Sequence, residues 1–369
     1  MAGILERLKD IEDEMAKTQR NKATEGHLCR LRAQHAKLSR DLITNATKSS
    51  GGGGEGFDVK KGGNASVGFV GFPSVGKSSL LNALTGREIA AAAAYEFTTL
   101  TAQSSIITMN GSKVQFLDFP GILENANQGY GRGRQVIASY RNCDLLYIVL
   151  DISKPLKHKE ILEKELKAVG IRINQKKPDI LIKKKEKGGL SITNTVQLTH
   201  LDFDLVRTIM HEYRINSAEV AFRCDATADD LIDALEEDQR RYIPAIYVLN
   251  KCDLLSVEEL ELLYRIPDSI PISSNNKWNL DGLLEYTWEK LNLVRVYTKP
   301  KGRIPDFEEP VVLRNDRRSV KDFCTNIHKS LVDDFKQAIV YGSSVKHQPQ
   351  YVGLTHILED EDVITILKK

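Results

Sequence analysis

Three unbroken apolar runs lie at residues 66–70, 144–151 and 244–249. Runs of this length, without the alternation of a half-solvated strand, predict buried strands of a parallel sheet. Residues 105–109 and 113–117 read as two further strands, joined by the hairpin-turn pair Asn110-Gly111. Residues 269–272 add another strand. Upstream the period changes. Ile4, Leu8, Ile11 and Met15, then Leu28, Leu31, His35, Leu38 and Leu42, recur at three- and four-residue steps. That spacing predicts a helical hairpin over residues 1–48 with many basic side chains outward. Such an arm either docks a partner or RNA, or packs against the rest of the chain; the pattern leaves both open. Residues 49–64, with four consecutive glycines, have the composition of a flexible linker.

The pattern also divides the second half. Between the strand ending at Asp151 and the one opening at Pro244 lie 92 residues, where a crossover needs roughly a dozen. An inserted subdomain is expected at 170–235, closed by a helix over 229–235, which leaves 65–169 and 236–291 for the sheet domain. Six lysines fall within residues 176–187, flanking Ile180-Leu181-Ile182. They form a candidate phosphate-backbone patch, although a lysine run is commonly just a solvated face. Residues 292–369 read as strands at 293–299 and 311–313, a helix over 319–327 capped by Ser319, and strands at 338–342 and 362–367. That order fits a small β-grasp domain. Lys299, Lys301, Arg303, Arg314, Arg317, Arg318, Lys346 and His347 give it a candidate RNA-facing side, and residues 359–362 are an acidic counterweight.

Chemistry enters at the ends of the predicted strands. Gly71-Phe72-Pro73-Ser74-Val75-Gly76-Lys77-Ser78 follows the first strand and precedes a helical stretch with Leu80, Leu81 and Leu84 on one face. This is the G-x-x-x-x-G-K-S phosphate loop in the context it requires. Backbone N–H groups and a helix N-terminus would cradle phosphates, Lys77 would reach the β- and γ-phosphates, and Ser78 would ligate Mg²⁺. After the alanine run 90–94 comes Tyr95-Glu96-Phe97-Thr98-Thr99-Leu100, where the adjacent threonines are placed for a second Mg²⁺ ligand and a γ-phosphate sensor. Asp118-Phe119-Pro120-Gly121 ends the hairpin's second strand. Its carboxylate could hold Mg²⁺ through water and its glycine N–H could donate to the γ-phosphate, a switching arrangement. Asn250-Lys251-Cys252-Asp253 ends the strand at 244–249. Asp253 can accept hydrogen bonds from guanine N1–H and the exocyclic amine, which adenine does not offer. Asn250 and the Lys251 stem complete the pocket, and a backbone N–H at Ser273-Ser274 could meet guanine O6. Together these motifs predict a guanine nucleotide site and disfavour an ATP site.

Composition sets limits. The chain has 369 residues, enough for two or three domains, with 41% hydrophobic and 28% charged residues. No apolar run approaches the ~20 residues of a membrane span, and the N-terminus lacks an apolar signal core. The five cysteines are scattered and odd in number, as expected of free thiols in a reducing compartment. A net charge of only +2 confines nucleic-acid binding to local patches.

The motifs as they stand resemble the developmentally regulated GTP-binding proteins, in the Obg branch of translation-factor-type GTPases, most of all the first of the two eukaryotic paralogues. The resemblance extends to Lys183–Gly189, Tyr213-Arg214-Ile215-Asn216 and Tyr341–His347, and covers essentially the whole chain. It implies an α/β fold: a P-loop GTPase domain with a doubly wound, mostly parallel sheet, an N-terminal helical arm, an S5-like α+β insert and a C-terminal TGS domain of β-grasp type. It also implies GTP hydrolysis, Mg²⁺ at Ser78 and Thr99, and K⁺ stimulation, with Ser74 where some potassium-activated relatives carry Asn. Its partners would be cytoplasmic ribosomes and rRNA and a zinc-finger-containing regulatory protein, with no membrane or DNA partner. Ile122 stands where many small GTPases have a water-orienting Gln. Slow intrinsic hydrolysis, completed with help from K⁺, a partner or the ribosome, is therefore expected. The competing reading is a GTP-bound scaffold in which hydrolysis is incidental.

Overall fold

The computed structural model describes residues 2–19, 21–49, 63–86, 103–119, 140–155, 157–263 and 265–368. The first elements are α1 (Ala2–Lys17), α2 (Glu25–Ser49), β1 (Ala65–Val70), α3 (Lys77–Thr85), β2 (Gln103–Met109), β3 (Ser112–Asp118) and β4 (Leu145–Asp151). There follow α4 (Lys157–Ala168), β5 (Ile171–Ile173), β6 (Ile180–Lys184), β7 (Leu190–Asn194), α5 (Phe203–Glu212), β8 (Ala218–Phe222), α6 (Ala228–Leu235) and β9 (Arg241–Ile243). The last are β10 (Ala245–Asn250), α7 (Val257–Leu263), β11 (Ser269–Ile272), α8 (Leu280–Leu291), β12 (Leu293–Thr298), β13 (Asp306–Arg314), α9 (Val320–Ile327), α10 (Ser330–Asp333), β14 (Phe335–Tyr341), β15 (Gln350–Val352) and β16 (Asp362–Lys368).

Two compact units form. One holds the N-terminal helices and residues 160–243; the other holds the described residues of 63–119, 142–159 and 244–368. The second unit is built on a six-stranded sheet of order β11-β10-β4-β1-β3-β2. All neighbours run parallel except the β2–β3 hairpin. β1, β4 and β10 are buried along their whole length, which is why their sequences do not alternate. Phe69, Phe116 and Tyr147 pack at centroid distances of 5.4–6.1 Å and tie β1, β3 and β4 together. The buried Tyr147 hydroxyl is satisfied by Thr287 of α8. Within the same unit a second sheet, β13-β12-β16-β14-β15, packs Val294, Val296, Ala338, Val340 and Ile364 against Phe323 and Cys324 of α9. This is the β-grasp tail. Ser319 and Asp322 form the capping box that starts α9. The tail also holds β15 and α10, which the pattern did not show because each is only one turn or three residues long.

In the first unit α2 packs on α5 and α6 and shares one hydrophobic core with the three-stranded sheet β6-β8-β7. Cys29, Ala33 and Ala36 of α2 join a core with Val206, Ile209, Val220, Phe222 and Leu231. The arm is thus a packing element. Leu28 and Leu31 of the expected stripe are buried, and the buried face is wider than that stripe, since Cys29 and Ala33 are buried too; His35 meets Glu12 of α1 at 3.0 Å, because α2 is flanked on one side by α1 and on the other by the insert core. The Leu42 side chain lies outside the described residues. β5 and β9 pair in parallel and close the neck of the insert. Beside them Asp233 accepts from Arg172 Nε at 2.6 Å and Nη2 at 2.7 Å, and lies 2.8 Å from Arg240 Nε. No helix among the described residues is long and apolar enough to cross a membrane.

Candidate functional site

β1 delivers the chain to the phosphate loop at the C-terminal edge of the sheet, where β1 is flanked by β3 on one side and β4 on the other. Ligands of open α/β sheets gather at that edge, where strand order reverses. Gly71 follows at once, and a Cβ there would lie 2.7 Å from the Val149 carbonyl oxygen. Phe72 is buried against the His158 ring at 4.8 Å, Val75 is buried, and Pro73 and Ser74 are exposed. Ser74 and Gly76 have left-handed backbones, φ 64° and 95°. A Cβ on Gly76 would stand 2.3 Å from Asn250 Nδ2, so only glycine lets that amide approach. α3 then begins at Lys77 with its N–H groups directed at the loop.

Lys77 is buried, and its Nζ donates to the carbonyls of Gly71 at 3.1 Å and Phe72 at 2.8 Å. Burial pulls its ammonium below the usual lysine value, and the charge of Asp118 offsets part of that. Ser78 Oγ donates to Asp118 Oδ2 at 2.6 Å. Asp118 Oδ1 is buried and has no hydrogen-bond partner among the described residues. Burial pushes the Asp118 carboxyl up from the usual range, against the Ser78 hydrogen bond and the Lys77 charge. A desolvated carboxylate with one oxygen unpaired, beside a serine hydroxyl, is a hard-oxygen pair that fits Mg²⁺. Phe119 is buried behind it.

The other end of the edge is held by Asn250, which is 2% exposed. Its Nδ2 donates to Val75 O at 2.9 Å; its Oδ1 accepts from Lys251 N at 2.9 Å, Ser274 N at 3.1 Å and Ser274 Oγ at 2.8 Å. Asn250 is therefore a pin joining three loops. Lys251 is left-handed, φ 69°, and its Nζ pairs with Asp151 at 2.6 Å. Asp253 lies in a short 3-10 turn, half-buried, its carboxylate without a hydrogen-bond partner among the described residues. The loop expected to offer a donor to guanine O6 is hydrogen-bonded as follows. Ser273 N donates to Trp278 O and Ser274 N to Asn250, so both serine N–H groups are engaged within the protein. The neighbouring Asn275 N–H has no such partner among the described residues. Asn279 precedes α8, but its amide donates to Pro271 O at 2.9 Å instead of capping the helix.

Other expected features fall outside the described residues: the linker glycines up to Gly62, the alanine run, Phe97, Thr98, Thr99, Pro120, Gly121 and Ile122. Asp151 and Asn275 were not singled out by motif. The signal for Asp151 was its place at the end of a buried strand.

A family model described as 50S ribosome-binding GTPase matches residues 66–185. A model described as the C-terminal region of that domain matches 187–293, and a TGS domain model matches 294–368. The Ribosome-interacting GTPase 1 of Saccharomyces cerevisiae is 68% identical over the full length of both chains. Developmentally-regulated GTP-binding protein 1 of Xenopus laevis is 56% identical, again over the full length of both, and Developmentally-regulated G-protein 3 of Arabidopsis thaliana 55%. With a phosphate loop, an N-K-x-D loop and a TGS tail on one chain, and identity at this level from end to end, the chain belongs to the developmentally regulated GTP-binding protein family and is a GTPase.

Proposed function

We propose that this GTPase is a Mg²⁺-dependent guanine nucleotide switch that works on cytoplasmic ribosomes. The observation that carries the reading is the meeting, along one sheet edge, of Lys77, Ser78 and the underpaired Asp118 at one end with Asn250, Lys251 and Asp253 at the other. In this reading the N–H groups of Gly71–Ser78 cradle the phosphates. Lys77 leaves the Gly71 and Phe72 carbonyls for the β- and γ-phosphates. Ser78 and Asp118, with Thr99, hold the metal, which neutralises charge on the phosphates when bound. Phe97, Thr98, Phe119, Pro120 and Gly121 frame the γ-phosphate, with the Gly121 N–H as its sensor. Asp253 accepts from guanine N1–H and the amine, and the loop at Ser273, Ser274 and Asn275 supplies the O6 donor. Ile122 offers no hydrogen bond to position water, so hydrolysis is slow until K⁺, a zinc-finger-containing partner or the ribosome assists.

Support for the ribosomal role comes from the S. cerevisiae relative's name and from the insert. On the exposed strand and turn at residues 183–189, Lys183, Lys184 and Lys187 have no carboxylate partner among the described residues, whereas Lys185 meets Glu219 at 3.1 Å. These are free cations for RNA phosphates. The test of the switch is nucleotide binding by Lys77→Ala and Ser78→Asn. Both should lose fluorescent GTP binding and nucleotide-dependent ribosome association while keeping native circular dichroism. Unchanged GTP affinity in both would reject the assignment.

A further inference from the structure

Asp151 closes β4 and stands in register beside Asn250 of β10. Its side chain is only 2% exposed, yet three donors converge on it. Lys251 Nζ meets Oδ2 at 2.6 Å, and the Ser153 N–H and hydroxyl meet Oδ1 at 3.0 Å and 2.6 Å. Burial acts to raise its pKa, but the hydrogen bonds from Lys251 and Ser153 prevail and hold the carboxyl below its usual range. It is charged at neutral pH. Lys251 is fixed at its other end too: its backbone is left-handed, and its N–H is held by Asn250 Oδ1 at 2.9 Å. The side chain between these anchors is 34% exposed.

Resting on the guanine reading of Asn250–Asp253, we infer that Asp151 is a positioning residue for the base: it draws the Lys251 ammonium to the end of β4, so that the methylene stem faces the pocket as an apolar wall. An unpaired ammonium beside a polyphosphate would be a point charge open to the phosphates of any nucleotide. Neutralised by Asp151, Lys251 contributes to the base plane, and affinity is left to depend on what Asp253 can read.

The test is the release rate of fluorescent GDP and GTP by stopped flow, after the melting temperature of each variant is recorded. Asp151→Asn keeps an oxygen for Ser153 but removes the charge. It should speed release of both nucleotides by about tenfold, the scale of one charged hydrogen bond. Adding Lys251→Met restores an apolar stem that needs no counter-charge, and release should return to within about threefold of wild type, which a merely structural role for Asp151 would not produce. Asp151→Glu, which keeps the charge and displaces the ammonium, is the second variant should the Asn form fail to fold; it should accelerate release to a smaller extent. Unchanged release in Asp151→Asn or Asp151→Glu, or a double variant no slower than Asp151→Asn, overturns the inference. Asp253→Asn separates this from the pocket reading. An Asn amide can donate to the 2-oxo group of xanthine, so this variant should exchange guanosine for xanthosine diphosphate. If it does while the Asp151 variants behave as wild type, the role of Asp151 alone fails; if it does not, both readings fall.

Discussion

Asp118 carries opposite costs in the two states of its site. Without a cation its buried, half-paired carboxylate is unfavourable, and its raised pKa says so in sign. A raised carboxyl pKa means stability present at low pH and lost as pH rises through the folded value, so at pH 7 the ionised group weakens the nucleotide-free fold. Asp118→Asn should raise the melting temperature of the nucleotide-free protein at pH 7 and shrink that gain toward pH 4, while Mg²⁺-dependent GTP affinity falls by about 10–100-fold. Scanning calorimetry and titration calorimetry read the two effects, and a variant that lost both stability and affinity would contradict this account. Asn250 poses the reverse case. Its four hydrogen bonds satisfy Val75 O, Lys251 N and both Ser274 donors. Asn250→Ala strands buried groups worth about 1–3 kcal/mol each and frees all three loops. Nucleotide release measured by fluorescence should accelerate by at least about 100-fold, since 1.4 kcal/mol is tenfold.

Among the elements, those whose sequence states their own periodicity were legible. β1, β4 and β10 read as buried strands because both faces are covered, and Asn110-Gly111 gave the hairpin because a tight turn needs φ of 48° and 76°. The phosphate loop and the N-K-x-D loop were legible because their spacing carries the chemistry. What sequence could not give was tertiary choice. The stripe on α2 had two faces to bury, and only packing decided that Cys29 and Ala33, not His35, enter the insert core. Likewise no local signal says that the Ser273 and Ser274 N–H groups are engaged within the protein. The neck of the insert was equally silent, since Arg172 is far in sequence from Asp233, Glu236 and Arg240 and meets Asp233 only when the chain brings β5 beside β9. Asp233→Ala would leave the buried Arg172 guanidinium without its counter-ion, while Arg240 keeps Glu236 at 2.8 Å, and breaking such a pair costs about 3–5 kcal/mol. Urea unfolding should show that loss in the insert's transition, and a shift under 1 kcal/mol would mean that water or movement relieves the charge.

At the scale of the whole molecule, net charge is close to balance, at +2, so attraction to RNA has to be local. Replacing Lys183, Lys184 and Lys187 with Ala should weaken ribosome co-sedimentation at low salt and reduce the slope of log affinity against log salt by about 2, the share of three phosphate contacts at ~0.7 each. GTP affinity should not change, and an unaltered slope would assign ribosome contact to another surface. One proposal joins these scales: that the sheet edge holds GTP through Lys77, Asp118 and Asp253, and that Ile122 offers no group to position the attacking water. Single-turnover GTP hydrolysis by the full-length protein, in Na⁺ and in K⁺ buffer, with and without ribosomes, tests it most directly. Hydrolysis should be slow for the protein alone in Na⁺ and rise at least about tenfold, or 1.4 kcal/mol of barrier, with K⁺ or ribosomes. Rapid turnover by the isolated protein in Na⁺, unchanged by either addition, would contradict it.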